Sequence, residues 1–219
     1  MADSTLAALS ANTDPLDDDI QYIVDDPAGT PTDKKMALRH NRWFGAAIPY
    51  FTSTSFYLSH PTAIVGASGA VTANQLYKHP VIVPYRRAFT TIACFGTVTG
   101  GNVRMGIYNS VFSAANGWAI GTLVAETAST AVAANNVITT AAITATLDPG
   151  VYYLAAVFDS TPTMRAFAQG TGNILGLNLV SGPNASQAGF TSAHTYGALP
   201  DLTGVGQTLA AAVTCVGIR

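Results

Sequence analysis

Charge is scarce in this sequence beyond residue 42. Residues 43–219 carry only ten formal charges, and charged residues make up 10% of the whole chain, against about 25% in an ordinary soluble domain. The net charge is only −2. Because no broad positive field exists, nucleic-acid binding is not expected. A body with so few charges must bury its surface, either in its own core or against neighbouring copies. This composition favours a protein that assembles with others over an enzyme.

Long apolar runs are also missing. No uninterrupted stretch reaches the roughly 18 apolar residues that a membrane-spanning helix needs. The first 30 residues are acidic and lack the apolar segment of a signal peptide. We therefore expect a protein that folds in a cytoplasm and does not insert into a membrane.

Cysteine is limited to Cys94 and Cys215, each in an apolar, strand-like run. Free cysteines are usually buried as small hydrophobic groups, so we expect two buried thiols, although a disulfide stays open. Two cysteines at this spacing offer too few ligands for a metal. The acidic clusters near the N-terminus lack the spacing of an EF-hand, which argues against a calcium site.

Catalytic motifs are equally sparse. The four histidines are scattered and form no zinc motif or recognisable triad. The few acidic residues of the body show no pairing of the kind that glycoside hydrolysis requires. We therefore predict a protein that is not an enzyme and that has no cofactor or metal; a polysaccharide hydrolase is a weaker alternative.

The acidic residues that do occur are concentrated at the N-terminus. Eight of the twelve lie in the first 33 positions. Alternation of Ile20, Tyr22 and Val24 with polar neighbours predicts a strand, Pro27–Pro31 predicts a turn, and Lys34–Leu38 predicts a second strand. Cross-strand Asp–Lys pairs are expected to add a few tenths of a kcal/mol each. Because a lone hairpin is marginally stable in water, this one needs a host surface, and we interpret it as an anchor.

The remainder of the chain has the period of β-strands with frequent turns. About ten strands, with turns every 8–12 residues, predict an all-β fold: a jelly-roll-like antiparallel β-sandwich at 43–219, preceded by an extended arm with a small hairpin at 1–42. The predicted strands are Tyr50–Leu58, Gln75–Val83, Arg87–Val98, Asn102–Asn109, Ile120–Thr127, Val137–Leu147, Gly150–Phe158, Met164–Gln169, Ile174–Val180 and Thr208–Ile218.

Two stretches of the body stand out. Val151–Phe158 is apolar on both faces, which predicts either a central strand covered on two sides or one that faces a neighbouring subunit. Ser181–Val205 has no clear period and reads as a long loop, a kind of segment that often carries function. Trp118, in a predicted loop, and Phe190 and Tyr196, in the long loop, are candidate contacts for a glycan or a partner. The alternative is that they pack under the loop or into a subunit contact.

Two segments resemble known bacteriophage proteins. Asp17–Leu38 (DDDIQYIVDDPAGTPTDKKMAL) is similar to an N-terminal module of many tailed-phage virion proteins. Phe56–Asp159 resembles the β-sandwich heads of phage fibre, head-fibre and capsid-associated proteins. The markers of the second resemblance are Asn74–Tyr77, Pro84, Val103–Asn109, Gly121–Glu126 and Leu147–Ala155.

The resemblance implies a virion structural protein, made in the host cytoplasm and carried in the particle. It implies an anchor that comprises Asp17, Asp18, Asp19, Tyr22, Val24, Asp25, Asp26, Pro27, Gly29, Lys34 and Lys35. It also implies a projecting head, commonly a homotrimer, bound to capsid, portal or tail-adaptor proteins. The chain lacks the repeats or coiled coil of a tail-fibre shaft, which favours a capsid decoration or a head fibre. A short tail-associated fibre that recognises host-surface glycan is the alternative, and a secreted sandwich unrelated to phage is a weaker one.

Overall fold

A computed structural model describes residues 20–25, 32–37, 56, 67–83, 85–98, 100–113, 117–133, 138–167, 188–210 and 212–219. Strands are the only regular structure in these ranges. The chain divides into two compact units, Met1–Ala46 and Ala47–Arg219. Within the described ranges, no helix has the length and hydropathy needed to cross a membrane.

The first unit contains a two-stranded antiparallel sheet of β1 (Ile20–Asp25) and β2 (Thr32–Ala37). Strand β1 lies where the alternation predicts it, and β2 begins two residues before the predicted second strand. The register places Lys34 opposite Ile23, and Asp25 opposite Thr32. The predicted Asp–Lys pairs are therefore wrong for these two strands, because no Asp of β1 is directly opposite a Lys.

The second unit is an antiparallel β-sandwich, which confirms the predicted fold class. Its strands in the described part are β3 (Ala67–Ala70), β4 (Gln75–Val83), β5 (Arg87–Val98), β6 (Asn102–Ser113), β7 (Gly117–Glu126), β8 (Thr130–Ala131), β9 (Ile138–Leu147), β10 (Gly150–Phe158), β11 (Thr163–Phe167), β12 (Gly189–Ala193), β13 (Thr208–Ala210), β14 (Val213–Thr214) and β15 (Val216–Ile218).

The strands form two sheets between which the chain passes repeatedly. The first sheet has the order β13-β12-β4-β10-β6-β7, with β8 also paired to β6. The second has the order β14-β11-β5-β15, with β9 on β5 and β3 on β11. Successive strands such as β4 and β5, or β9, β10 and β11, lie in opposite sheets, as in a jelly-roll-like sandwich.

The inner core fills the space between the sheets. Leu154 and Phe158 of the first sheet and Ile92 of the second are fully buried there. Cys94 and Cys215 lie in the same core as free thiols, which confirms the expectation of two buried cysteines. Burial raises the pKa of Cys94 to about 12 and raises that of Cys215 as well, so both remain protonated and unreactive.

The opposite face of the first sheet carries a second apolar group, which we call the outer cluster. Its strand members are Leu76, Tyr108, Ile120, Tyr153, Ala155 and Val157. Leu199 and Leu202, from the connection between β12 and β13, complete it. We call residues 194–207 of that connection the cover segment. Strand β10 lies at the centre of the sheet and is covered on both faces, which is the first of its two predicted arrangements.

Several boundaries differ from the prediction. Trp118 lies inside β7 and Phe190 inside β12, so neither lies in a loop as predicted. The predicted strand Thr208–Ile218 is divided into β13, β14 and β15, because the chain passes there from the first sheet to the second. The predicted strands Tyr50–Leu58, apart from Phe56, and Ile174–Val180 lie outside the described residues.

Candidate functional site beneath the cover segment

The N-terminal end of the cover segment is tied to Asn74. This residue has a φ of 59°, in the left-handed region that asparagine tolerates better than most residues. Its carbonyl accepts a hydrogen bond from the His194 N–H at 3.0 Å, and its Oδ1 accepts one from the Tyr196 N–H at 2.8 Å. One turn residue before β4 therefore positions the start of the segment.

The middle of the cover segment is bound to β6 and β7, the strands at the other end of the first sheet from β12. The Leu199 N–H donates to Glu126 Oε2 at 2.8 Å, and Arg104 Nη1 lies 3.7 Å from the same oxygen. Tyr108 donates its hydroxyl proton to the Pro200 carbonyl at 2.9 Å. Burial, and then the charges of Glu126 and Asp201, raise the pKa of Tyr108, which keeps the phenol a donor.

The C-terminal end of the segment meets a buried lysine. Lys78 of β4 has no exposed surface. Its Nζ donates to Ser192 Oγ at 2.6 Å and also to Gln207 Oε1. The Gln207 amide is held at its other end as well, since its Nε2 donates to the Val205 carbonyl at 3.0 Å. A primary amine and a primary amide thus face each other under the edge of the cover segment.

The electrostatics of Lys78 follow from its burial. Desolvation lowers the pKa of the Lys78 amine from 10.5 to about 7, because a charged ammonium is disfavoured away from water. Within the described part of the chain, no carboxylate forms an ion pair with this amine. A substantial share of the lysine is therefore neutral at pH 7, and a neutral amine is both a hydrogen-bond donor and a nucleophile.

His79, the next residue, faces the inner core instead. Its Nε2 accepts a hydrogen bond from the Val216 N–H at 3.2 Å, and its Nδ1 lies 3.4 Å from the Pro80 carbonyl. The accepting role of Nε2 assigns the ring proton to Nδ1. Burial lowers the pKa of His79 to about 4, so the ring is neutral at pH 7. This histidine links the two sheets and lies apart from the cluster at Lys78.

Two of the three aromatic residues predicted as partner contacts belong to the outer cluster. Phe190 packs edge-on against Tyr153, with ring centroids 6.0 Å apart. The Tyr196 hydroxyl lies 2.6 Å from Ser129 Oγ. Both rings are half-buried against the outer cluster, in agreement with the predicted alternative that they pack under the loop. Trp118 is opposite Phe112 in the β6–β7 register, and its side chain lies outside the described residues.

The predicted anchor residues are only partly described. Tyr22, Val24 and Asp25 lie in β1, and Lys34 and Lys35 lie in β2. The rest of the predicted anchor lies outside the described residues, namely Asp17, Asp18, Asp19, Asp26, Pro27 and Gly29.

In the ranges that the structure does describe, no group of three or more His, Cys, Asp or Glu residues could hold a metal ion.

Sequence reasoning did not single out Lys78, Ser192 or Gln207. One signal was present: Lys78 is the only charged residue in Gln75–Val83, a strand that is otherwise mostly apolar. Lysine is almost never fully buried without a partner, so a lone lysine in such a strand marks a place worth testing. Its partners come from positions more than a hundred residues later, which no local pattern could reveal.

Comparison with models of known protein families gives no match, and comparison with curated protein sequences gives none either.

Proposed function

We propose that this protein is a structural component of a bacteriophage virion. In this proposal it decorates the capsid or forms a short head fibre, with the N-terminal hairpin as anchor and the sandwich projecting from the particle. The resemblance of Asp17–Leu38 to phage virion modules motivates it. The proposed partners are other virion proteins, such as capsid, portal or tail-adaptor proteins, and further copies of this chain.

The observation that carries the proposal is the small sheet of β1 and β2 in the charged N-terminal unit. A two-stranded sheet is at best marginally stable in water, so docking on a larger surface would complete it. The sandwich has a core of its own, formed by buried apolar side chains. A charged unit with a two-stranded sheet, joined to a β domain that has its own core, is an organisation suited to a particle anchor and a head.

The anchor is tested by breaking the hairpin in the full chain. Ile23→Pro removes a backbone donor and constrains φ in the middle of β1, whereas Ile23→Val is the matched control. Phage that supply only the proline variant should release particles without this protein, and the valine variant should be incorporated normally. Normal incorporation of the proline variant would refute the anchor.

The location is tested by electron microscopy of particles labelled with an antibody to residues 43–219. Label over the head supports decoration or a head fibre, whereas label at the tail supports the alternative. No label on any particle would overturn the virion proposal.

The alternative is a tail-associated protein that binds host-surface glycan. The exposed contact between the hydroxyls of Tyr196 and Ser129 favours it, because a tyrosine with a packed ring and a polar end in water is suited to binding a partner. The full chain would then bind host polysaccharide, and Tyr196→Ala would abolish binding while Thr203→Ala would not. Absence of binding by the unaltered chain would exclude this alternative.

A further inference from the structure

The contact between Lys78 and Gln207 has an unusual chemical composition. Both groups that touch are reactive partners in amide exchange: a primary amine that can attack, and a carboxamide whose nitrogen can leave as ammonia. Lys78 Nζ donates to the amide oxygen, while the amide nitrogen donates to the Val205 carbonyl. The amide is therefore held at both ends, with its carbonyl against the amine.

The surroundings of Lys78 favour a neutral group, such as an amide, over a charged lysine ammonium. Lys78 is fully buried, and the half-buried Phe190 is its partner in the β12–β4 register. In the part of the chain that the structure describes, no carboxylate neutralises an ammonium at this position. A buried charge without a counter-ion is costly, and an amide in the same place carries no charge.

We propose that Lys78 and Gln207 form an intramolecular isopeptide bond, which makes a covalent crosslink between the first sheet and the end of the cover segment. The bond forms between Lys78 Nζ and Gln207 Cδ, and the bond between Gln207 Cδ and Nε2 breaks. The amine loses one proton and the departing nitrogen gains one, so that one ammonia molecule leaves. No oxidant, reductant or co-reactant is needed. The inference does not depend on the proposed function.

Two further features support this assignment. Burial lowers the pKa of the Lys78 amine to about 7, so the nucleophilic form is present at neutral pH. Ser192 Oγ, 2.6 Å from Nζ, accepts a hydrogen bond from the attacking amine and so helps to orient it toward the amide. Amine, amide and hydroxyl are brought together only when β12 has paired with β4, so the folded chain positions its own reaction.

The crosslink would act at one edge of the first sheet. Strand β13 has three residues and lies at the sheet edge, directly after Gln207. A covalent bond from β4 to Gln207 bypasses β12 and ties this edge to the interior of the sheet. The cover segment would then be fixed at its C-terminal end without reliance on hydrogen bonds alone.

The test is the intact mass of the purified full chain, followed by peptide mapping. We expect a mass lower than the sequence mass by one ammonia, and a branched tryptic peptide that joins Lys78 to Gln207. Cleavage after Lys78 should be blocked. Lys78→Met and Gln207→Leu should each restore the unmodified mass, whereas Gln75→Leu, a matched change in the same strand, should keep the loss.

Other outcomes would overturn the proposal. An unmodified wild-type mass would mean that the lysine is only hydrogen-bonded. A loss of ammonia that maps to Asn116-Gly117 would indicate a succinimide there instead. Because the branched peptide is sought in the wild-type chain, the decision stands even if a variant fails to fold.

Discussion

The first sheet buries one face against another sheet and the other face against a connecting segment, and the two faces are held in different ways. The inner core is closed by strands that pair with one another in antiparallel ladders. The outer cluster is closed by the cover segment, which is tied down mainly by hydrogen bonds to Asn74, Glu126, Tyr108 and Lys78. The inner core and the outer cluster are both buried, but they need not unfold together. A segment that is held by separate hydrogen bonds can open while the rest of the domain stays folded.

The largest effect is expected in the inner core. Phe158→Ala removes a fully buried ring that packs edge-on against Tyr77, with centroids 6.5 Å apart. It should lower the free energy of unfolding by about 3–5 kcal/mol, because the cavity lies between two sheets that cannot collapse onto it. Urea unfolding followed by circular dichroism measures this. A loss below about 1 kcal/mol would contradict the contrast between the two faces.

The inner core should also respond to acid through His79. Its pKa is lowered to about 4 in the folded chain from 6.5, so unfolding takes up a proton between these values. Stability is then fully present above about pH 6.5 and falls as the pH drops toward 4, by about 3 kcal/mol.

Urea titrations from pH 4 to pH 7 test this slope. His79→Gln keeps an acceptor for the Val216 N–H without a titrating ring, so it should flatten the slope in that window. An unchanged slope in the variant would assign the acid response to other groups.

A smaller and more local effect is expected in the outer cluster. Leu199→Ala removes a buried side chain of the cover segment. We expect a loss of about 2 kcal/mol, at the low end for such a change, because the segment can settle into the space. Hydrogen exchange should accelerate in residues 194–207 and remain slow at Leu154. Equal acceleration at both places would show that the two faces open together.

The smallest effect is expected at a single tie. Glu126→Ala removes the acceptor of the Leu199 N–H and the partner of Arg104. A loss of about 1 kcal/mol is expected, because water can reach part of this site. Glu126→Gln keeps an acceptor and should lose less. If both variants had the melting temperature of the wild type, the hydrogen bond between Leu199 and Glu126 would not stabilise the cover segment.

The sequence was informative where the periodicity of one element was sufficient. Val151–Phe158 is apolar on both faces, and this pattern predicted either a central strand covered on two sides or a strand that faces a neighbouring subunit. Strand β10 has the first arrangement. The alternation in residues 20–25 likewise predicted β1. In both cases the determinant is local: the faces on which apolar side chains recur.

The candidate site could not be predicted in the same way. Whether Lys78 is buried depends on Ser192 and Gln207, which are remote in the chain. The sequence of the cover segment shows no regular alternation of apolar residues, because the segment is held by hydrogen bonds between its backbone and side chains of other strands. The bond from the Leu199 N–H to Glu126 is one example. The sequence predicts a loop at Phe190 because Ser181–Val205 has no clear period, and the five residues of β12 are too few to show one.

The strand order has a consequence for the time course of folding. Strand β4 pairs with β10 and β12, and Ile92 of β5 pairs with Ile218 of β15, so the central pairings join residues far apart in the chain. Each such pairing closes a long loop before it gains any stabilisation, which places the sandwich among proteins that fold in milliseconds to seconds rather than microseconds. During that interval β9, a ten-residue strand without a single charged side chain, is a segment that is prone to pair with another nascent chain. Slow closure would thus make the yield of folded protein depend on its concentration during synthesis.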